Sequence, residues 1–230
     1  MNKDPLPGWT PPPRPPREAM EGRVVRVEPL AESHADDLFA ANTRDANWDY
    51  LPYGPYREEA PYRAWVAEAA ASADPLFHAI VDRRTGRATG IASYLRITPE
   101  HGVIEVGHIN LSPLLQRTPG ATEAMALMMG RAFDLGYRRY EWKCDAANAP
   151  SRAAALRLGF AFEGIFRQHM IVKGRNRDTA WFAILDSDWP TRRKAFAAWL
   201  DPANFDGEGR QRRSLAECQD TVNQVPIPPA

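Results

Sequence analysis

The chain has 230 residues, 44% of them hydrophobic, which suits one domain of ordinary size with a full core and tails. Its 29 basic and 29 acidic residues cancel, so broad attraction to nucleic acid or to an anionic membrane is not expected. Two cysteines are too few for a disulfide framework or a zinc site, and no stretch approaches the ~20 apolar residues that span a bilayer. The N-terminus also lacks the apolar core of a signal peptide, so we expect a cytoplasmic protein with no metal.

Both ends of the chain are predicted to lie outside the main domain. Seven of the first 22 residues are proline, which disfavours helix and central strand, so residues 1–22 are expected to be a disordered tail or an extended strap. The main domain is predicted at 23–189. Residues 190–230 are expected to contain one helix, at 191–200, and then a polar tail.

The first half of the domain is predicted to contain a strand, two helices and three further strands. Apolar spacing places the first strand at 23–29, the helices at 31–42 and 58–72, and the three strands at 76–82, 88–97 and 103–111. Because short turns join these three strands, they should form an antiparallel meander.

The loop between the two helices is unusually aromatic. Trp48, Tyr50 and Tyr53 stand among prolines and a glycine in residues 47–56, where no regular element is expected. Exposed loops rarely carry so many aromatic rings, so we expect these rings to pack against another part of the molecule or against a ligand. Two interpretations remain open: a lid packed on the core of the domain, and a wall of a pocket that binds an acceptor molecule.

The second half of the domain is predicted to contain a parallel strand pair. Residues 122–135 have helical spacing, and the strand at 140–144 that follows can lie parallel to 103–111 through a right-handed crossover. Asn148 is a suitable N-cap for a further helix. Residues 160–172 and 178–186 then form a closing hairpin.

The stretch 103–135 is the candidate site. A strand that enters a helix through a tight loop directs backbone N–H groups at one point, and the start of a helix attracts anions. Thr118 can cap this helix with Pro119 at its first position. Alternation along the strand places Glu105 on one face of the sheet and His108 on the other, unless a bulge intervenes.

The order of these elements and two motifs resemble the GNAT N-acetyltransferase family over residues 23–189. The motifs are Asn148-x-x-Ser151 and the run Leu158-Gly159-Phe160 with Phe162-Glu163-Gly164. The resemblance is closest to the branch typified by ribosomal-protein alanine acetyltransferases. It implies an α/β (α+β) fold, in which a mixed, mostly antiparallel sheet has helices on both faces and a parallel central strand pair.

The resemblance also implies acetyl-CoA as co-substrate and direct transfer of its acetyl group to a primary amine, most simply an α-amine. The acceptor would be a peptide, a protein N-terminus or a small aminoacyl compound. A homodimer is left open, and neither nucleic acid nor membrane is an expected partner. The alternative function is a catalytically weak module that binds acyl-CoA or another protein.

Site residues follow from the resemblance position by position. The phosphate loop departs from the family pattern at Pro119, which has no N–H to donate. Expected cofactor contacts are Leu111, Gln116, Arg117, Thr118, Gly120, Ala121, Thr122 and Asn148. Expected substrate contacts are Trp48, Tyr50 and Tyr53.

The catalytic assignments are open between several residues. Ser151 is expected to assist the leaving thiolate, and a first-turn helix serine is the structural alternative. Glu105 is the preferred base and His108 the second candidate, although each could equally be structural. His169 is a third candidate, because its neighbour Met170 stands where relatives carry a glutamate.

Overall fold

The computed structural model describes residues 6–223, which form one eight-stranded sheet and six α-helices. The strands are β1 Met20–Glu21, β2 Val25–Pro29, β3 Leu76–Asp82, β4 Ala88–Thr98, β5 Val103–Leu111, β6 Arg139–Asp145, β7 Ala161–Val172 and β8 Arg175–Leu185. The helices are α1 Ala35–Ala41, α2 Glu59–Ala71, α3 Pro119–Asp134, α4 Ala149–Arg157, α5 Trp189–Leu200 and α6 Leu215–Asn223.

The sheet is mixed, as predicted. Its strand order is β1-β2-β3-β4-β5-β6-β8-β7, and every neighbouring pair is antiparallel except β5 and β6. The long α3 connects these two parallel strands. The predicted α/β fold with a parallel central strand pair is therefore confirmed.

Two apolar cores lie on opposite faces of the sheet. On one side, which we call the α2 face, α1 and α2 pack on β3 and β4 around residues such as Leu38, Tyr62 and Ile91. On the other side, the α3 face, α3 to α6 pack on the sheet around residues such as Met128 and Ile104. Strands β3 and β4 are covered on both faces, so nearly all of their residues are buried.

A bulge in β5 changes which residues share a face. Strict alternation would place Glu105 and His108 on opposite faces of the sheet, and the bulge that the sequence left open is present. The pairing with β4 shifts between Gly107 and Asn110, and His108 adopts φ 49° there. The extra residue moves Ile109 and Leu111 to the α3 face, where they pack against the same core as Ile104.

The segments flanking the domain differ from the prediction in detail. Residues 6–19 are an extended strap: Pro12 and Pro15 are buried, and Arg17 donates to the carbonyl oxygens of Ala70 and Ser72. Strand β1, which follows, was not predicted. Neither was α6, whose Leu215 and Cys218 are buried against α5.

The tail assignments cover more residues than the structure describes. Residues 1–5 and 224–230 lie outside the described range. Between them, none of the helices is long and apolar enough to cross a membrane.

Glu123 joins α3 to the start of β2. Its carboxylate accepts backbone N–H groups from Arg23, Val24 and Val25, at 2.8, 2.6 and 2.8 Å. Glu123 is buried, so three donors that have lost their water depend on one side chain.

We expect Glu123→Gln to lower the free energy of unfolding by about 2 kcal/mol, because an amide offers one acceptor oxygen and no charge. Urea unfolding measures the change, with the exposed Glu100→Gln as the matched control. Equal unfolding midpoints for the two variants would contradict this role.

Candidate active site

The candidate site is the gap that opens between β5 and β6. These strands are paired from Val103 and Arg139 as far as Val106 and Trp142, and both then continue without pairing to each other. The divergence begins at the β5 bulge, where the strand bends away from its neighbour. The sheet therefore opens between β5 and β6 beyond Val106 and Trp142.

The predicted phosphate loop lies at the α3-face end of this gap. Thr118 is the N-cap of α3, its Oγ1 accepts the N–H of Ala121 at 3.4 Å, and Pro119 is the first helical residue. The helix starts three residues before its apolar spacing begins. Pro119 fits here without loss, because the first N–H of a helix has no partner within the helix.

Gly120 also has a role in packing. A Cβ at this position would lie 2.8 Å from Cγ1 of Val25 and 3.2 Å from Cδ1 of Leu115. The missing side chain thus lets α3 pack closely against β2. Beside it, Arg117 is exposed at φ 60°, and Thr122 accepts a hydrogen bond from Arg157 at 3.0 Å.

Two residues predicted to contact the cofactor are engaged within the protein. Gln116 Nε2 donates to the carbonyl of Leu111 at 2.8 Å and to Oδ1 of Asn47 at 3.0 Å. Leu111 therefore meets the phosphate loop through its carbonyl oxygen. Asn148 caps α4, because its Oδ1 accepts the N–H of Ser151 at 3.0 Å.

The edge of β5 retains polar groups that suit an extended ligand such as the pantetheine arm of acetyl-CoA. Asn110 and Ser112 are buried, yet the side-chain polar atoms of both have no hydrogen-bond partner among the described residues. Buried polar atoms are normally paired, so an unpaired cluster beside an open gap is what a ligand-binding strand edge would show. The residues present therefore fit the co-substrate.

Ser151 stands on the α3 face beside a sulfur atom. Its Oγ accepts the indole N–H of Trp142 at 3.0 Å, which leaves its own hydroxyl proton to donate. Burial raises the pKa of the neighbouring Cys144, and a hydrogen bond from Ser151 partly offsets this shift. The hydroxyl oxygen is thus oriented by Trp142, and its proton is not used in that hydrogen bond.

Glu105 is locked in a row of alternating charges, which we call the charge ladder. The carboxylate accepts from Arg96 at 2.7 Å and from Lys143 at 2.8 Å. The row continues from Lys143 to Glu141 at 2.7 Å, and through Arg139 to Glu163. Each oxygen of Glu105 faces a cation, and the three cations of the ladder balance its three carboxylates.

His108 shares the α2 face with Glu105 because of the bulge. Its ring stacks on Tyr53 at an interplanar angle of 5°, and Nδ1 lies 3.2 Å from the Tyr53 hydroxyl. Burial, then Arg96 and Arg177, lower the pKa of His108 to about 4, so the imidazole is neutral at pH 7.

The aromatic loop closes over the α2-face mouth of the gap and is fixed on three sides. Asn47 meets Gln116 at the end of β5, and Tyr50 donates to the carbonyl of Ala147 just beyond β6 at 3.2 Å. From the tip of the β7–β8 hairpin, Lys173 donates to the carbonyl of Trp48 at 2.8 Å.

The three predicted substrate contacts are placed differently from one another. Trp48 is only 3% exposed and packs in the core of the α2 face, as a lid on the core would. Tyr50 is 41% exposed at the rim, and Tyr53 lies against His108. Trp48 therefore serves the core, whereas Tyr50 and Tyr53 border the gap and their contact with an acceptor stays a prediction.

Comparisons with known proteins agree with this geometry. A model of the acetyltransferase (GNAT) domain matches residues 25–161. A GCN5-related N-acetyltransferase from Brucella melitensis is 51% identical, with a TM-score of 0.92 over 94% of this chain and 100% of that one. A probable acetyltransferase of the GNAT family from Chromobacterium violaceum ATCC 12472 is 42% identical, with a TM-score of 0.78 over 83% and 97%.

A more distant similarity concerns the fold alone. RimL, a ribosomal L7/L12 alpha-N-protein acetyltransferase, is 20% identical, with a TM-score of 0.64 over 73% of this chain and 94% of that one. No curated protein matches the chain significantly.

A split parallel strand pair beside a capped helix start defines the architecture of an acyltransferase. The chain belongs to the GNAT acetyltransferase family. It is therefore an enzyme, and family members use acetyl-CoA as the acetyl donor.

Several residues at the gap were not predicted. They are four residues at its borders: Arg177, Lys173, Asn110 and Ser112. Of these, only Arg177 could have been suspected from the sequence, because it stands two residues before Thr179 and so shares a face of β8 with that polar residue. A separate groove of about 530 Å³ between α3 and α5 includes none of the predicted site residues.

We expect acid to destabilise the protein through its buried histidines. Burial lowers the pKa values of His108 and His78 from 6.5 to about 4, so between these values the unfolded chain binds more protons than the folded one. The free energy of unfolding should fall as pH drops through this window, by roughly 3 kcal/mol per histidine when complete.

Urea unfolding at successive pH values checks this expectation. His108→Gln should reduce the slope of stability against pH between 6.5 and 4, whereas His101→Gln removes an exposed imidazole and is the control. A slope that is identical in wild type and His108→Gln would refute the assignment.

Proposed function

We propose that this enzyme transfers the acetyl group of acetyl-CoA directly to the primary amine of a peptide, a protein N-terminus or a small aminoacyl compound. The main support for the proposal is that the candidate residues fall into two groups, one on each face of the sheet at the gap. Ser151, Asn148 and the Thr118 cap lie on the α3 face, whereas His108, Tyr53 and the aromatic loop lie on the α2 face. The donor thus enters from one face and the amine from the other.

The diphosphate is assigned to the start of α3. Gly120, Ala121 and Thr122 supply first-turn backbone N–H groups and the positive end of the helix dipole, and Arg117 adds charge. Pro119 has no N–H, so this helix start offers the diphosphate one donor fewer. Thr118 and Gln116 hold the loop in shape, since the first caps the helix and the second ties the loop to Leu111.

Acetyl-CoA supplies an activated thioester, and the chain supplies proton control on each side. An α-amine has a pKa of about 7.7–8.0, so a substantial fraction is already neutral near pH 7.5. When the nitrogen attacks, it becomes positively charged and strongly acidic, so a weak base can take its proton. Neutral His108 meets that requirement better than Glu105, whose oxygens are held by Arg96 and Lys143.

On the α3 face, Ser151 is proposed to donate to the departing sulfur. Its hydroxyl is already oriented by Trp142 and lies beside the sulfur of Cys144. A thiol has a pKa near 8.5, so its thiolate is a fair leaving group and one hydrogen bond is adequate help. Glu105 is proposed to have a structural role, in which its ion pair holds Lys143 in place on β6 beside the gap.

The finer placement within the family is also a proposal. The Asn148-x-x-Ser151 motif and the aromatic loop favour the branch of the ribosomal-protein alanine acetyltransferases, which acts on α-amines. A match to RimL at the level of the fold is compatible with this placement.

We expect Ser151→Ala to lower kcat by about 10- to 100-fold with little change in the affinity for coenzyme A, because a hydrogen bond to a charged group is lost only as the thiolate forms. Thiol release measures kcat and calorimetry measures coenzyme A binding, with the exposed Ser187→Ala as the control.

Two outcomes would count against this assignment. An unchanged kcat in Ser151→Ala would remove Ser151 from the mechanism. Tight binding of acetyl-CoA without turnover of any amine would instead support a binding module, and no binding of coenzyme A by the folded protein would end the proposal.

We also propose that two copies of the chain pair along β7. This strand is the edge of the sheet, is 12 residues long, and exposes Phe162, Ile165 and Ile171, the last of them 81% exposed. A long apolar edge invites pairing unless it is covered. An antiparallel copy centred on Ile165 would set Glu163 of one chain opposite Arg167 of the other, so the edge complements itself.

We expect Ile165→Glu to convert a dimer into a monomer, because two carboxylates would meet at the symmetry axis. Light scattering after size-exclusion chromatography reports the mass. Leu156→Glu, which places the same charge on an exposed apolar residue of α4, is the matched control. A monomeric wild type, or a dimer that survives Ile165→Glu, would exclude this interface.

A further inference from the structure

Arg177 lies at the α2-face mouth of the gap with most of its hydrogen-bonding capacity unused. Strand β8 pairs with β6 only as far as Thr179 and Asp145, so Arg177 stands two residues beyond the end of β6. Its Nε donates to Oγ1 of Thr179 at 3.2 Å. Within residues 6–223, its two terminal nitrogens have no acceptor, although a guanidinium presents five donors in a planar fork.

The orientation of Arg177 is fixed by its neighbours. Thr179 is buried, and its hydroxyl also lies 3.0 Å from Nδ1 of His169. Accepting from Arg177 uses the oxygen of Thr179 and leaves the hydroxyl proton for His169. The fork is therefore anchored through Nε while its outer edge remains available.

The surrounding charges do not neutralise Arg177. The residue opposite it on β7 is Met170, which has no charge. On this face of the sheet, Glu105 and Glu141 are paired with cations inside the charge ladder. Asp145, which lies opposite Thr179 on β6, accepts the N–H of Ala147 and forms no ion pair with Arg177 among the described residues. In the described part of the chain, Arg177 takes part in no ion pair, and Lys173 at the rim is likewise bound only to a carbonyl oxygen.

We infer that the acceptor carries a carboxylate in addition to its amine, and that Arg177 binds this carboxylate and so determines specificity. The inference rests on the proposed function and narrows its substrate class. A planar fork with two free terminal nitrogens matches a carboxylate in bidentate geometry. Tyr50 and Tyr53 border the same mouth and can pack against the rest of the acceptor.

The charge of Arg177 also affects the protonation of the reacting amine. A positive charge beside an ammonium group disfavours the protonated form, so binding near Arg177 raises the neutral, nucleophilic fraction of the amine. Arg177 and Arg96 affect His108 in the same direction. The cationic mouth thus selects the acceptor and prepares its nitrogen.

Matched acceptor pairs test the inference with the full chain and acetyl-CoA. The probes are alanyl-aspartate amide against alanyl-asparagine amide, and alanyl-glutamate amide against alanyl-glutamine amide, so that each pair differs in one carboxylate and keeps the same reacting α-amine. Wild type should have a kcat/KM about 10- to 100-fold higher for the anionic member of at least one pair, as expected for a charge-assisted bidentate contact.

Two variants assign this preference to Arg177. Arg177→Met should abolish it, mainly through KM, while turnover of the neutral members is retained. Arg177→Lys should keep part of it, because charge remains and the fork is lost. Lys194→Met removes an equal charge from the exposed side of α5 and should leave the preference intact. Urea unfolding confirms that each variant is folded.

Three results separate the possible failures. Turnover of neutral and anionic members at equal kcat/KM overturns the inference and leaves the proposed function standing. A preference for the anionic members that survives Arg177→Met also overturns it, because another group must then bind the carboxylate. No turnover of any probe by a protein that binds coenzyme A would overturn both.

Discussion

The bulge at His108 is the constraint on which the site depends. One extra residue in β5 ends its pairing with β6 after Val106 and opens the sheet at its centre. The same residue moves His108 onto the face of Glu105 and turns Ile109 and Leu111 toward α3. A regular strand would have kept β5 and β6 paired and separated the two candidate bases, so the positive φ of 49° at His108 is the local conformation on which the proposed site depends.

Residues near the gap combine structural and functional roles. Trp48 fills the core while its carbonyl anchors the hairpin through Lys173. Gln116 holds the phosphate loop against Leu111, and Gly120 admits α3 to close contact with Val25. Because these contacts join the loop, the helix start and both strands, displacement of one element would disturb the others. The two faces of the gap are thus held in fixed relation, as the proposed direct transfer requires.

Much of the fold follows from local patterns. Strands β3 and β5 have the predicted bounds, and the parallel pair follows from a helix placed between two strands. The Thr118 and Asn148 caps follow from side-chain chemistry at helix starts. The sequence left a bulge open, and Gly107 is a residue type that often marks one, but whether it forms and at which residue depends on tertiary pairing with β4. Helix α6 was missed because its apolar positions are few and become meaningful only against α5.

The electrostatics of the α2 face required the structure for the same reason. Read along the chain, Glu105, Glu141 and Glu163 look like acids available for catalysis or for binding cations. The register places Arg96, Lys143 and Arg139 between them, so the ladder cancels itself. Because these charges neutralise one another, the charge at the mouth of the gap is set by the few groups that have no counter-ion. A chain with zero net charge can therefore present a cationic entrance, because the balance that a substrate meets is local and is set by which residues are already paired.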